Sequence, residues 1–242
     1  KSFLNQLGVN TNVDPRNIKI YGNGGAMLPF FNSIPYPDDL TENAVKFVGE
    51  EDGVFNNEDY ILFYGEGPKG NVENASINTN LNPYTDKSYY YVNVGAGNGK
   101  RIQTMFQPAG TVDVILDTFH DYKFHEVDEF NIGKLGRRWF GERFGVENEQ
   151  TFTFDFPNLI ATEPAKLKVY VGATSEVAGT SMNVKLNGTS IDNLSFGAFS
   201  GTSLATGNQF DGSVSLTTPQ AVVTLTFNNN GNPSSLAYLD YV

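Results

Sequence analysis

The sequence predicts a mainly β protein: an N-terminal β-rich domain with one short helix over residues 1–115, then an antiparallel, jelly-roll-like β-sandwich over residues 116–242. Three observations predict it. After residue 150, Phe, Val, Leu and Thr alternate with polar partners in run after run, with no helical stretch between them. Before residue 108, short strand patterns instead alternate with turns rich in glycine. Between the two lies KLGRRWFGERF, residues 134–144, which holds the only Trp of the chain and four of its sixteen basic residues. We read this stretch as the hinge through which the sandwich begins. Trp139, Phe140 and Phe144 supply apolar area for a core or an interdomain seam, Gly136 and Gly141 supply close turns, and Arg137, Arg138 and Arg143 can reach carboxylates.

A length of 242 residues, 39% hydrophobic and 13% aromatic, suffices for two packed cores. The charge, 16 − 27 = −11, disfavours nucleic acid and anionic membrane, both of which reward clustered Lys and Arg. With no Cys, the chain has no disulfide, thiolate metal site or thiol nucleophile. No apolar run approaches the roughly 18 residues of a membrane span, and no signal peptide opens the chain. It begins at Lys1 without a Met and stops at Val242 inside a strand pattern, so a longer parent is expected.

In chain order, residues 2–9 place Phe3, Leu4 and Leu7 on one helical face, and Gly8 closes the helix. Residues 17–21 alternate as a half-buried strand and run into Gly22-Asn23-Gly24-Gly25. That loop is a tight turn and no phosphate cradle, because Met27 stands where a third glycine belongs and Pro29 suits no following helix. Residues 44–48 and 59–64 form a hairpin. The acidic loop between them has the composition of a calcium loop without its ligand spacing, so no cofactor is expected, calcium being the one ion weighed there. Residues 65–87 read as a long loop, residues 89–94 and 101–106 as a second hairpin, and residues 111–117 as the crossing strand, with a boundary at Pro108. His120 and His125, five apart, cannot share a metal from one strand or one helix face, so Phe124 packing inward beside an exposed charged face is the better account.

In the sandwich, Phe152, Phe154 and Phe156 form one apolar row, Leu167, Val169 and Val171 a second, and Met182, Val184 and Leu186 a third. Asn187-Gly188 marks a two-residue hairpin turn. Residues 213–217, 221–228 and 236–242 are the remaining strands.

Four stretches carry a resemblance: IKIYGNGGAMLP at 18–29, DGVFNNEDYILFYGEGP at 52–68, NPYTDKSYYYV at 82–92 and GRRWFGERF at 136–144. In order and spacing they resemble the N-terminal, non-catalytic region of the type IX secretion system sortase, a gingipain-like cysteine peptidase family of the Bacteroidetes. The resemblance implies an exported protein at the cell surface or outer membrane. It also implies a caspase-like catalytic domain beyond this region, and secretion components or secreted cargo as partners. The family's activity, removal of C-terminal sorting domains from cargo, belongs to that other domain. Neither catalytic residue carries over, since Cys is absent and neither His120 nor His125 matches the family's context.

Two other readings stand beside this one. A carbohydrate-binding sandwich would use Trp139 or the tyrosines Tyr89, Tyr90 and Tyr91 as stacking platforms. A hydrolase would need a triad or paired acids, and Gly201-Thr202-Ser203 lacks the nucleophile elbow.

Overall fold

Alternation of apolar and polar side chains builds the second half of the chain. In the computed structural model, which describes residues 1–29, 31–69, 79–107, 109–112, 114–134 and 138–242, the chain divides into two compact units, Lys1–Asp117 and Thr118–Val242.

Among its described residues the second unit has eight strands: β6 (Arg143–Phe144), β7 (Glu149–Asp155), β8 (Ala165–Thr174), β9 (Thr180–Leu186), β10 (Thr189–Phe196), β11 (Thr206–Val214), β12 (Gln220–Asn228) and β13 (Leu236–Tyr241). One sheet runs β6-β13-β8-β11 and the other β7-β12-β9-β10, all pairs antiparallel. That order is a jelly roll. The inward rows meet in one core that includes Val169, Val171, Met182, Val184, Val223, Leu225, Phe227 and Leu239, each at most 1% exposed. Asn187 and Gly188 both take positive φ, 47° and 81°, as the tight β9–β10 turn requires.

β10 and most of β11 are strands that the apolar pattern does not predict. Both are sheet edges; TSIDNLSF buries only Leu194 and Phe196 and TGNQFDGSV buries no side chain fully, so little hydrophobic rhythm is needed.

The first unit is built from less. Among its described residues the one α-helix, α1 (Ser2–Gln6), is shorter than predicted and buries Leu4 alone, with Phe3 and Leu7 exposed; Gly8 takes φ 80° just beyond it. β1 (Ile18–Tyr21) pairs with β2 (Glu42–Asn43) and β5 (Tyr91–Val94), while β3 (Val45–Val48) and β4 (Tyr60–Phe63) form the predicted hairpin. Leu4, Ile18, Phe47 and Phe55 make its small buried cluster, Phe47 and Phe55 meeting edge-on with ring centres 5.1 Å apart.

The second predicted hairpin does not form. β5 takes β1 as its partner, Ile18 opposite Val94, because β1 offers a long-range edge that outcompetes the local turn. Residues 102–107 carry no strand, and Arg101 makes only a single parallel bridge to Val45. The crossing strand is also absent among the described residues of 111–117, where Val112, Val114, Ile115 and Leu116 are all exposed; Pro108 and Asp113 lie outside the described residues.

Arg101 holds the first unit together instead. Its guanidinium binds the Glu50 carboxylate at 2.7 Å and reaches the carbonyls of Pro15 at 3.2 Å and Arg16 at 3.0 Å. The acidic loop thus uses its carboxylates on the protein itself: Glu50 on Arg101, Asp52 on the amide of Val54, and Asp59 on the amide of Asn56.

Candidate functional site

Residues 125–126 and 141–144 lie along β13, and residues 129–130 pair with Phe140. His125 and Val242 exchange backbone hydrogen bonds at 2.9 and 3.0 Å, and Glu126 bridges to Tyr241. Phe130 and Phe140 pair likewise, at 2.7 and 2.8 Å, and Gly141 donates its amide to the carbonyl of Leu239 at 2.7 Å. A glycine is needed at 141 because a Cβ there would stand 2.7 Å from the carbonyl oxygen of Val127. Gly172 plays a matching part, since a Cβ on it would strike the ring of Phe140 at 2.8 Å. Phe140 is thereby buried, and Phe144 sits fully inside the sandwich core.

Trp139 is half-buried, and its indole N–H is enclosed without an acceptor among the described residues. Gly136 and Arg137 lie outside the described residues. Arg143 is exposed on β6.

Arg138 occupies the centre of the arrangement. Its guanidinium carbon lies 3.8 Å from the centre of the Tyr170 ring, a close cation–π contact, and one terminal nitrogen lies 3.0 Å from Oδ2 of Asp240. The two atoms form an ion pair without the alignment of a hydrogen bond. A register shift between Leu239 and Tyr241 interrupts the alternation of β13, so consecutive residues Leu239 and Asp240 are both buried. Burial pushes the Asp240 carboxyl up to about 8, against the pull of Arg138 and with the repulsion of Glu126 and Asp128. Asp128 rises to about 6 through burial and then Glu126, and Tyr241 to about 12, chiefly through burial.

The two histidines part company. His120 is exposed, whereas His125 places Nε2 2.5 Å from Oε1 of Glu142 with its ring 4.7 Å from that of Phe152. Phe124 is half-buried. Among the described residues no group of three His, Asp or Glu side chains could hold a metal ion, and no helix is long and apolar enough to cross a membrane.

Of the proposed stacking rings, Tyr89 and Tyr91 are exposed, but Tyr90 is engaged, its ring 5.2 Å from Phe63 and its hydroxyl bonded to the backbone of Glu66. The hydroxyl of Ser203 donates to the carbonyl of Ala205. The geometry found is that of a buttress: one arginine stacked on a tyrosine, balanced by buried acids, with a strand-like strip fastened along the sheet. Sequence reasoning picked out Arg138, but it missed Asp240 and Tyr170, whose roles depend on a bulge and on sheet register.

No protein-family model matches the chain, and no curated protein matches it. Among solved structures, the chain is similar to the dimeric latent PorU of Porphyromonas gingivalis, with a TM-score of 0.69 and 19% identity over 98% of this chain. The chain spans 22% of that PorU chain. A carbohydrate-binding module, CBM36, in complex with calcium and xylotriose overlaps 50% of this chain and 87% of its own at 14% identity and a TM-score of 0.30. A family 43 arabinoxylan arabinofuranohydrolase from Bacillus subtilis overlaps 64% of this chain and 34% of its own at 15% identity and a TM-score of 0.29. At 19% identity the likeness to PorU is one of fold, and it extends over nearly the whole chain.

Proposed function

We propose that this chain is a non-catalytic scaffold and interaction region of a gingipain-like cysteine endopeptidase at the cell surface, one that cleaves sorting domains from type IX secretion cargo. The observation that carries the reading is the fold match over 98% of the chain to a fifth of PorU, 22% of its length. The four sequence stretches at 18–29, 52–68, 82–92 and 136–144 point the same way. In this reading peptide cleavage resides in a caspase-like domain elsewhere in the same polypeptide, and the sandwich positions that domain, cargo or partner subunits. Arg138, Trp139, Phe140, Gly141 and Phe144 serve as the structural anchor of the second unit, and no residue of this chain attacks a peptide bond.

Two measurements test it together. The purified chain should give no turnover of a peptide spanning a cargo–sorting-domain junction, and the reading frame that encodes it should continue into a segment bearing the His–Cys pair. Turnover that persists through stringent repurification, or a stop codon directly after Val242, would overturn the proposal.

A further inference from the structure

A groove of about 660 Å³ opens at one end of the sandwich, between residues 129–132, the end of β8 and the loops that follow β8, β10 and β12. This lies in the range of about 300–1,000 Å³ typical of ligand sites. Phe130 and Tyr238 line it with ring centres 5.6 Å apart and planes inclined at 57°. Glu129 and Glu176 stand at its rim, both exposed, and among the described residues neither carboxylate has a salt bridge or a hydrogen bond. Among the described residues no Lys, Arg or His lines it.

We infer that this groove binds a lysine or arginine side chain presented by an extended segment of a partner polypeptide, with the cation held between the Phe130 and Tyr238 rings and the Glu129 and Glu176 carboxylates. Three observations favour that occupant. Aromatic faces attract a cation within about 6 Å of the ring centre, and a carboxylate adds a charge-assisted hydrogen bond. The unit already holds one of its own cations on a ring, Arg138 over Tyr170 at 3.8 Å. The net charge of −11 also draws basic segments in and turns acidic ones away. A neutral glycan could stack on the same rings, but it would gain nothing from two unpartnered carboxylates. This inference goes beyond the scaffold reading and does not rest on it.

The test is a calorimetric titration of the 242-residue chain with acetyl-GSRSG-amide, acetyl-GSESG-amide and cellotriose as separate probes. The arginine peptide should bind, more weakly as salt rises, and the acidic peptide should not. The double variant Glu129→Gln/Glu176→Gln should keep the parent's thermal midpoint and lose about tenfold in affinity for the arginine peptide. No binding of the arginine peptide, equal binding of the acidic one, or affinity undiminished in the double variant would overturn the inference. So would cellotriose binding that displaces the arginine peptide, which would assign the groove to a neutral glycan.

Discussion

The two units reach stability by different means. Among the described residues the second unit buries a continuous cluster of eighteen apolar side chains between two four-stranded sheets, whereas the cluster of the first contains four. The first compensates with polar wiring, in which one arginine gathers a glutamate and two carbonyls from two separate stretches. A core built from two stacked sheets gains stability through apolar area and tolerates edge strands that contribute only a few side chains to it. A small unit with little area to bury depends on a few long-range polar contacts, and losing one of them removes a large share of what holds it.

The largest expected effect lies in the core of the second unit. Phe227, 1% exposed, pairs opposite Met182 between β12 and β9, and Phe227→Ala should destabilise that unit by about 3–5 kcal/mol. Denaturant unfolding would show it, and a loss under about 1 kcal/mol would mean the sandwich is not packed as described.

Next comes the first unit's arginine. Its side chain and that of Glu50 are 19% and 18% exposed, so removing one partner strands a largely enclosed charge. Arg101→Met should cost about 3 kcal/mol, read in the first unit's unfolding transition, with the second unit's left in place. Equal shifts in both would erase the contrast between the units.

How much of this could be read in the sequence follows from the same contrast. Strands β7, β8, β9, β12 and β13 were legible because each turns one apolar row toward the core, and Asn187-Gly188 announces its own turn. The partner of β5 was not, since residues 91–94 suit a local hairpin and a distant edge equally and only assembly chooses. The apolar run at 111–117 has strand composition, yet its described residues stay outside regular structure, because β-propensity acts only where a neighbouring strand is in reach. At the buttress, Arg138 stood out by composition, while Asp240 looked like an ordinary alternating residue until the bulge buried it.

A further effect appears with pH. An aspartate in the unfolded chain titrates near 3.9, and in the folded chain Asp240 is pushed up to about 8. Between those values the folded state holds a proton that the unfolded state has released, so the second unit is most stable near pH 4 and weakens as pH rises toward 8, by at most about 1.4 kcal/mol per unit from this group. Asp128, raised to about 6, acts in the same direction. Asp240→Asn should flatten the slope of Tm between pH 4.5 and 8, and an unchanged slope would remove Asp240 as its source. The smallest effect belongs to the surface: Asp211 pairs with Lys166 at 3.2 Å and Lys168 at 3.7 Å in well-exposed positions, so Asp211→Ala should change stability by less than about 1 kcal/mol.

The contrast between the units has a built-in reporter, because the single Trp of the chain, Trp139, belongs to the second unit. A urea titration followed in parallel by tryptophan emission and by the amide signals of β1 and β3 should give two midpoints, with the tryptophan transition at the higher urea concentration. Coincident midpoints, or a tryptophan transition that comes first, would contradict the assignment of the larger stability to the sandwich.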